Sequence, residues 1–146
     1  TPVFLPIEKR LDAGAAQQVA KHVTVSHHLL METGPSSHII GLFARMKVVV
    51  SMRLHALVFS AGQGVPLVGV VYDPKISSFL SYIGQDLFTD LNELTLDSLK
   101  AQVDAAVARI GDEEFLTVGV KRLREVERRN RDTAGALLGL KEEAAP

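Results

Sequence analysis

Residues 48–72 read VVVSMRLHALVFSAGQGVPLVGVVY. "KVVVSM" carries the strongest strand signal in the chain, and "VPLVGVVY" is a second continuous apolar strand. Between them "RLHALVFSAGQG" spaces its apolar residues as a helix of about three turns, closed by Gly62 and Gly64. Both strands are apolar throughout rather than at alternate positions, which is how a parallel sheet covered on both faces reads. Together they form one β-α-β unit, whose crossover is right-handed.

The same alternation extends outward. "PVFLPI" (residues 2–7) reads as a short buried strand. Asp12 is the expected N-cap of a helix running to about Val23, with Ala16, Val19, Ala20 and Val23 on its packed face. "HHLLM" is a short strand candidate. "GPSSHIIGLFARM" opens with a helix-start signal and repeats Ile39, Ile40, Leu42, Phe43 and Met46 at helical spacing. After the central unit, "DPK" breaks the strand, "ISSFLSYIG" reads as a short helix and "DLFTDL" as a small edge strand. A helical tail covers about residues 95–140. Thr95 is its expected N-cap, stapled by Leu94 and Leu99, and Leu96, Leu99, Val103, Val107 and Ile110 form its apolar repeat. Gly111 and Asp112 divide it from a last helix to about Leu140. The fold class is therefore α/β, a Rossmann-like three-layer sandwich with a mostly parallel sheet.

The chain has 146 residues, 47% of them hydrophobic, enough for one domain with a real core. Its formal net charge of −1 gives no global reason to bind nucleic acid. With no cysteine, disulfides and thiolate metal sites are excluded, and the composition fits the cytoplasm. No apolar run is long enough to cross a bilayer. Because the chain starts at Thr1 and enters "VFLPI" at once, it is expected to be a piece of a longer protein or a processed form.

Ligands of open α/β sheets bind beyond the carboxyl ends of the strands. Two such ends are visible: Ser51 to His55, and Tyr72 to Lys75. Since they belong to consecutive strands, Arg53, His55 and Lys75 are expected to converge on one crevice. A helix starting near Met52 or Arg53 adds backbone N–H groups and the positive end of its dipole. The combination suits a small, densely charged anion, and arginine grips a carboxylate or phosphate with two prongs. Other signals read as structure. His27 and His28 point to opposite faces of a strand and have no suitably spaced carboxylate, so no metal is expected there. "GQGVP" ends a helix rather than opening one, unlike a dinucleotide fingerprint. "KRLREVERRNR" (residues 121–131) pairs Glu125 with Arg129, Glu127 with Arg131 and Lys121 with Glu125, and reads as a salt-laced solvated helix face.

The segment from Met52 to Leu80 resembles the polysaccharide pyruvyl transferase family, most closely its bacterial CsaB type. That family carries roughly Gly-Met-Arg-Leu-His-Ala-Leu, then Gly-Val-Pro, a strand, Tyr-Asp-Pro-Lys and Phe-Leu. Here the matches are Met52-Arg53-Leu54-His55-Ala56-Leu57, Gly64-Val65-Pro66, Tyr72-Asp73-Pro74-Lys75 and Phe79-Leu80. Ser51 departs from the family glycine. The resemblance spans most of the chain. It implies the C-terminal half of a two-domain fold similar to the GT-B glycosyltransferases, whose N-terminal domain is missing from this sequence. It further implies a bacterial enzyme that moves the pyruvyl group of phosphoenolpyruvate onto two hydroxyls of a cell-wall sugar as a cyclic ketal. The acceptor would be lipid-linked and the ketal would anchor S-layer proteins, work done in the cytoplasm, peripherally at the inner face of the membrane. Arg53 and His55 become the expected catalytic residues. Arg53, Leu54, His55, Tyr72, Asp73 and Lys75 are expected to hold substrate, without a metal or a cofactor beyond the donor, and the isolated half is expected to be inactive. Two alternatives remain. A GT-B nucleotide-sugar domain would commonly carry a ribose-binding glutamate where this chain has "YDPKISSF". A non-catalytic binding domain would need no acceptor cleft.

Overall fold

The computed structural model describes residues 1–32 and 34–139. Among them, strands and helices alternate: β1 (Val3–Phe4), α1 (Lys9–Lys21), β2 (His28–Leu29), α2 (Ser36–Phe43), β3 (Val49–Ser51), α3 (Leu54–Gly62), β4 (Leu67–Val71), α4 (Pro74–Tyr82), β5 (Phe88–Asp90), α5 (Leu96–Ala108) and α6 (Glu113–Leu137). The chain is an α/β fold in which all paired strands are parallel.

The hydrogen-bonded ladder is interrupted rather than continuous: β1 pairs with β2, and β3-β4-β5 form a separate three-stranded sheet with β4 at its centre. Pro2 and Phe4 offer their carbonyls to the N–H groups of His28 and Leu30. Pro2 and Pro6 therefore turn toward β2 with no N–H to give, which confines that ladder to a short stretch. Val3, Leu5 and Ile7 face residues 48–51 across a cavity of about 130 Å³. The hydrogen-bonded orders are thus β1-β2 and β3-β4-β5, with the cavity between the β1 segment and β3.

β4 is buried along its whole length, as its unbroken apolar run requires. Leu67 and Val71 join one core with Phe43 of α2, Ala56, Leu57 and Ala61 of α3, and Ile76 and Leu80 of α4. Val68 and Val70 point to the opposite face. There Thr89 of β5, in register with Val70, accepts a hydrogen bond from Gln102 of α5. Helices thus cover both faces, the three-layer arrangement that the apolar strands imply.

Several boundaries differ from the sequence expectation. Helix α1 starts at Lys9 with Glu8 as its N-cap, and Asp12 lies inside the first turn. Val19 is 53% exposed while Ala20 is buried, because α1 packs through small residues. Gly62 is still helical; the turn comes at Gly64, whose φ of +66° suits glycine best. "DPK" follows the end of β4 at Val71 as expected, but Pro74 and Lys75 already form the first turn of α4 under an Asp73 cap. Thr95 caps α5 in a reciprocal pairing with Ser98. However, Leu96, Val107 and Ile110 are exposed, and the seam runs through the half-buried Leu99 and Val103 and the buried Ala106. Helix α6 packs on α3 and crosses the end of α4 at Gly119, where a Cβ would lie 2.0 Å from the Ile83 carbonyl oxygen. Beyond Leu123 its residues are nearly all exposed. Glu125 pairs with Arg129 at 3.1 Å, whereas Arg131 turns to the neighbouring Asp132. The helix ends at Leu137, close to the end expected near Leu140.

Candidate active site

Ser51, the last residue of β3, sits beside Gly69 of β4. Two residues further on, Arg53 is the N-cap of α3 in extended conformation. The turn is held by the Ser51 hydroxyl, which accepts the Arg53 N–H at 2.9 Å. The residue that departs from the family glycine therefore reinforces the turn. No side chain caps α3, so the N–H groups of its first turn remain available to a ligand.

The Arg53 side chain reaches back to α1. Its Nε lies 3.2 Å from both carboxylate oxygens of Asp12, and its Nη2 donates to Asp12 Oδ1 at 2.5 Å. Asp12 also accepts the Glu8 N–H at 3.0 Å. Both side chains are about one-quarter exposed, 28% for Arg53 and 23% for Asp12. The hydrogen bonds from Arg53 hold the Asp12 carboxyl below its usual value, against the opposing cost of burial. The reciprocal bond from Asp12 raises Arg53, with the nearby Tyr72 phenol adding to the effect.

At the end of β4, Asp73 caps α4 by accepting the Lys75 N–H at 2.9 Å. Its other oxygen pairs with the Lys75 ammonium at 3.1 Å. These contacts lower Asp73 through the Lys75 backbone bond first and raise Lys75 through the Asp73 carboxylate. The Lys75 ammonium lies 5.7 Å from the centre of the Tyr72 ring. The Tyr72 phenol helps to raise both cations. His55 is exposed in the first turn of α3, with its ring 6.3 Å from that of Phe59 one turn on. Leu54 is half-buried between these two polar neighbours.

Arg53, Tyr72, Asp73 and Lys75 therefore share one neighbourhood, as the paired strand ends suggest. Position and partners nevertheless differ from the sequence expectation in two respects. First, the cavity opens on the other side of Arg53, between β1 and β3, and its lining includes Ser51 and Arg53. The physical reason is topological. Helices α3 and α4 pack in the same core on one face, while the cavity that Ser51 and Arg53 line lies toward β1. A crevice opens where successive connections diverge to opposite faces. Second, each cation has a carboxylate partner. Asp12, read from sequence as a cap, is the partner of Arg53 that the sequence reading did not expect. The signal was available, since Asp12 follows β1 closely and the strand-end rule applies to β1 as much as to β3 and β4.

Parallel strands alternating with helices, with Arg53 at the N-cap of α3 just beyond the end of β3, define an α/β domain of the Rossmann-like class. The family model for polysaccharide pyruvyl transferase matches residues 1–74, just over half of the chain, and the chain belongs to that family. The matched span contains Asp12, Arg53, His55, Tyr72 and Asp73 and stops one residue before Lys75. Comparison with curated proteins finds no match, and comparison with solved structures finds none. Family membership supports a transferase role in polysaccharide pyruvylation and a glycan acceptor. Among the described residues no helix is long and apolar enough to cross a membrane.

Proposed function

We propose that this chain supplies the donor-binding part of a pyruvyl transferase that uses phosphoenolpyruvate. The observation that supports this best is Arg53. It is the N-cap of α3, whose N-terminus no side chain caps, and it lines the cavity between the β1 segment and β3, with Tyr72 nearby. Phosphoenolpyruvate carries a carboxylate beside a phosphate, and Arg53 with the first-turn N–H groups of α3 offers donors for such a pair. Transfer adds a proton to the donor's methylene carbon, joins C2 to two sugar hydroxyl oxygens and breaks the C2–O bond to phosphate. His55, in the first turn of α3, is the proposed acid for the methylene or base for a sugar hydroxyl. Leu54 spaces the two working side chains, while Tyr72, Asp73 and Lys75 complete the substrate-binding wall.

On this reading the chain acts as the C-terminal half of a GT-B-like enzyme, with the acceptor cleft completed by an N-terminal half. The acceptor is a lipid-linked cell-wall sugar reached from the cytoplasmic face, and the ketal serves S-layer anchoring. A thermal-shift series with phosphoenolpyruvate, UDP-sugars and inorganic phosphate tests the donor. Stabilisation by phosphoenolpyruvate above that by phosphate is expected. Stabilisation by a UDP-sugar alone would replace this reading with a glycosyltransferase.

A further inference from the structure

We infer that Asp12 is the positioning residue of the donor site: it occupies one edge of the Arg53 guanidinium and thereby presents the opposite edge to the anion. The inference rests on the donor reading above and adds a residue to it. A guanidinium has five N–H donors in a fixed plane. Asp12 engages the Nε–Nη2 edge, with Nε 3.2 Å from both oxygens and Nη2 2.5 Å from one. The Nη1 group and the second Nη2 hydrogen remain for a ligand. Because the contact fixes the plane of the fork, it also fixes the direction in which the free edge points. The carboxylate is itself held by the Glu8 N–H at 3.0 Å, and it lies in the first turn of α1, where a negative charge is favoured. Asp12 therefore reaches from the β1 side of the cavity to hold a side chain of the β3 side, across 41 residues of sequence.

Charge and geometry make opposite predictions, which lets the inference be tested. Asp12 neutralises Arg53. If charge alone governed, removing the carboxylate would tighten anion binding. A positioning role demands weaker binding, because the freed guanidinium must be ordered again by each ligand.

The experiment is isothermal titration of phosphoenolpyruvate into this chain and into Asp12→Asn, Asp12→Ala, Asp12→Glu and Arg53→Ala, with circular dichroism and urea midpoints confirming the fold. Positioning predicts a roughly tenfold weaker affinity for Asp12→Asn and partial recovery for Asp12→Glu, the loss being that of one charge-assisted contact. The Nε–H resonance of Arg53, sharp in the wild type, should broaden in Asp12→Asn and return in Asp12→Glu. Unchanged or tighter binding by a folded Asp12→Asn, alongside a loss in Arg53→Ala, overturns the role of Asp12 and leaves the donor reading standing. A wild type that does not bind phosphoenolpyruvate, or an Arg53→Ala that binds as well as the wild type, overturns the donor reading and this inference with it.

Discussion

The two strand-to-helix junctions, β3 to α3 and β4 to α4, are built from the same parts and finished differently. At the second, Asp73 caps its own helix and pairs with the lysine two residues on. Everything that junction needs lies within three consecutive positions. At the first, Ser51 fixes the turn, the helix end stays uncapped, and the cation at the N-cap takes its carboxylate from α1. A junction that satisfies itself is scaffold with a charged surface. A junction left open at its helix end, beside a cavity, has binding capacity to spare.

The largest test of this contrast is His55→Ala in the complete enzyme. Release of phosphate from phosphoenolpyruvate should fall by about 10²- to 10⁴-fold, the range of a lost general acid or base. A wild-type rate would remove chemistry from the first junction altogether. Next comes the pair Arg53→Ala and Lys75→Ala. Donor affinity measured by calorimetry should drop on the order of 100-fold for Arg53, which loses charge-assisted contacts. The drop should be only a few-fold for Lys75, which is half exposed and already paired with its neighbour. Equal losses would erase the distinction between the junctions.

Acid provides a third test. The folded Asp12 carboxyl is held below its unfolded value, chiefly by the hydrogen bond from Arg53. Its contribution to stability is therefore complete above the unfolded pKa and disappears as the pH falls through the folded one. Urea midpoints at about pH 6 and about pH 3 should draw closer together in Asp12→Asn than in the wild type. Asp73→Asn should change them less, since its pairing is local and solvent-exposed. A larger effect at Asp73 would reverse the ranking. The smallest expected effect is that of Ser51→Gly, which restores the residue usual in the family. Losing the acceptor for the Arg53 N–H should cost about 1 kcal/mol in urea denaturation and change donor affinity no more than a few-fold.

Much of the molecule follows from local chemistry. The unbroken apolar run of β4, the Thr95 cap, the Gly64 turn and the edge position of β5 are each set by residues within a few positions of one another. Periodicity and turn preference act at that range, so they can be read directly. The same holds for Arg53, His55 and Tyr72 at strand ends. Local patterns misjudge burial where contacts come from afar: Val19, Leu96 and Val107 repeat like core residues but face solvent.

By itself the sequence determined the α/β class, the β-α-β unit at its centre and the residue types gathered at the strand ends, because each depends on spacing along the chain. Only the tertiary structure decided which side of Arg53 is open and what holds its side chain. The β1 segment lines the cavity beside β3, and the helix that follows it brings Asp12 to Arg53. A pairing between residues 12 and 53 leaves no periodic trace, since its energy depends on where the fold brings two distant elements together.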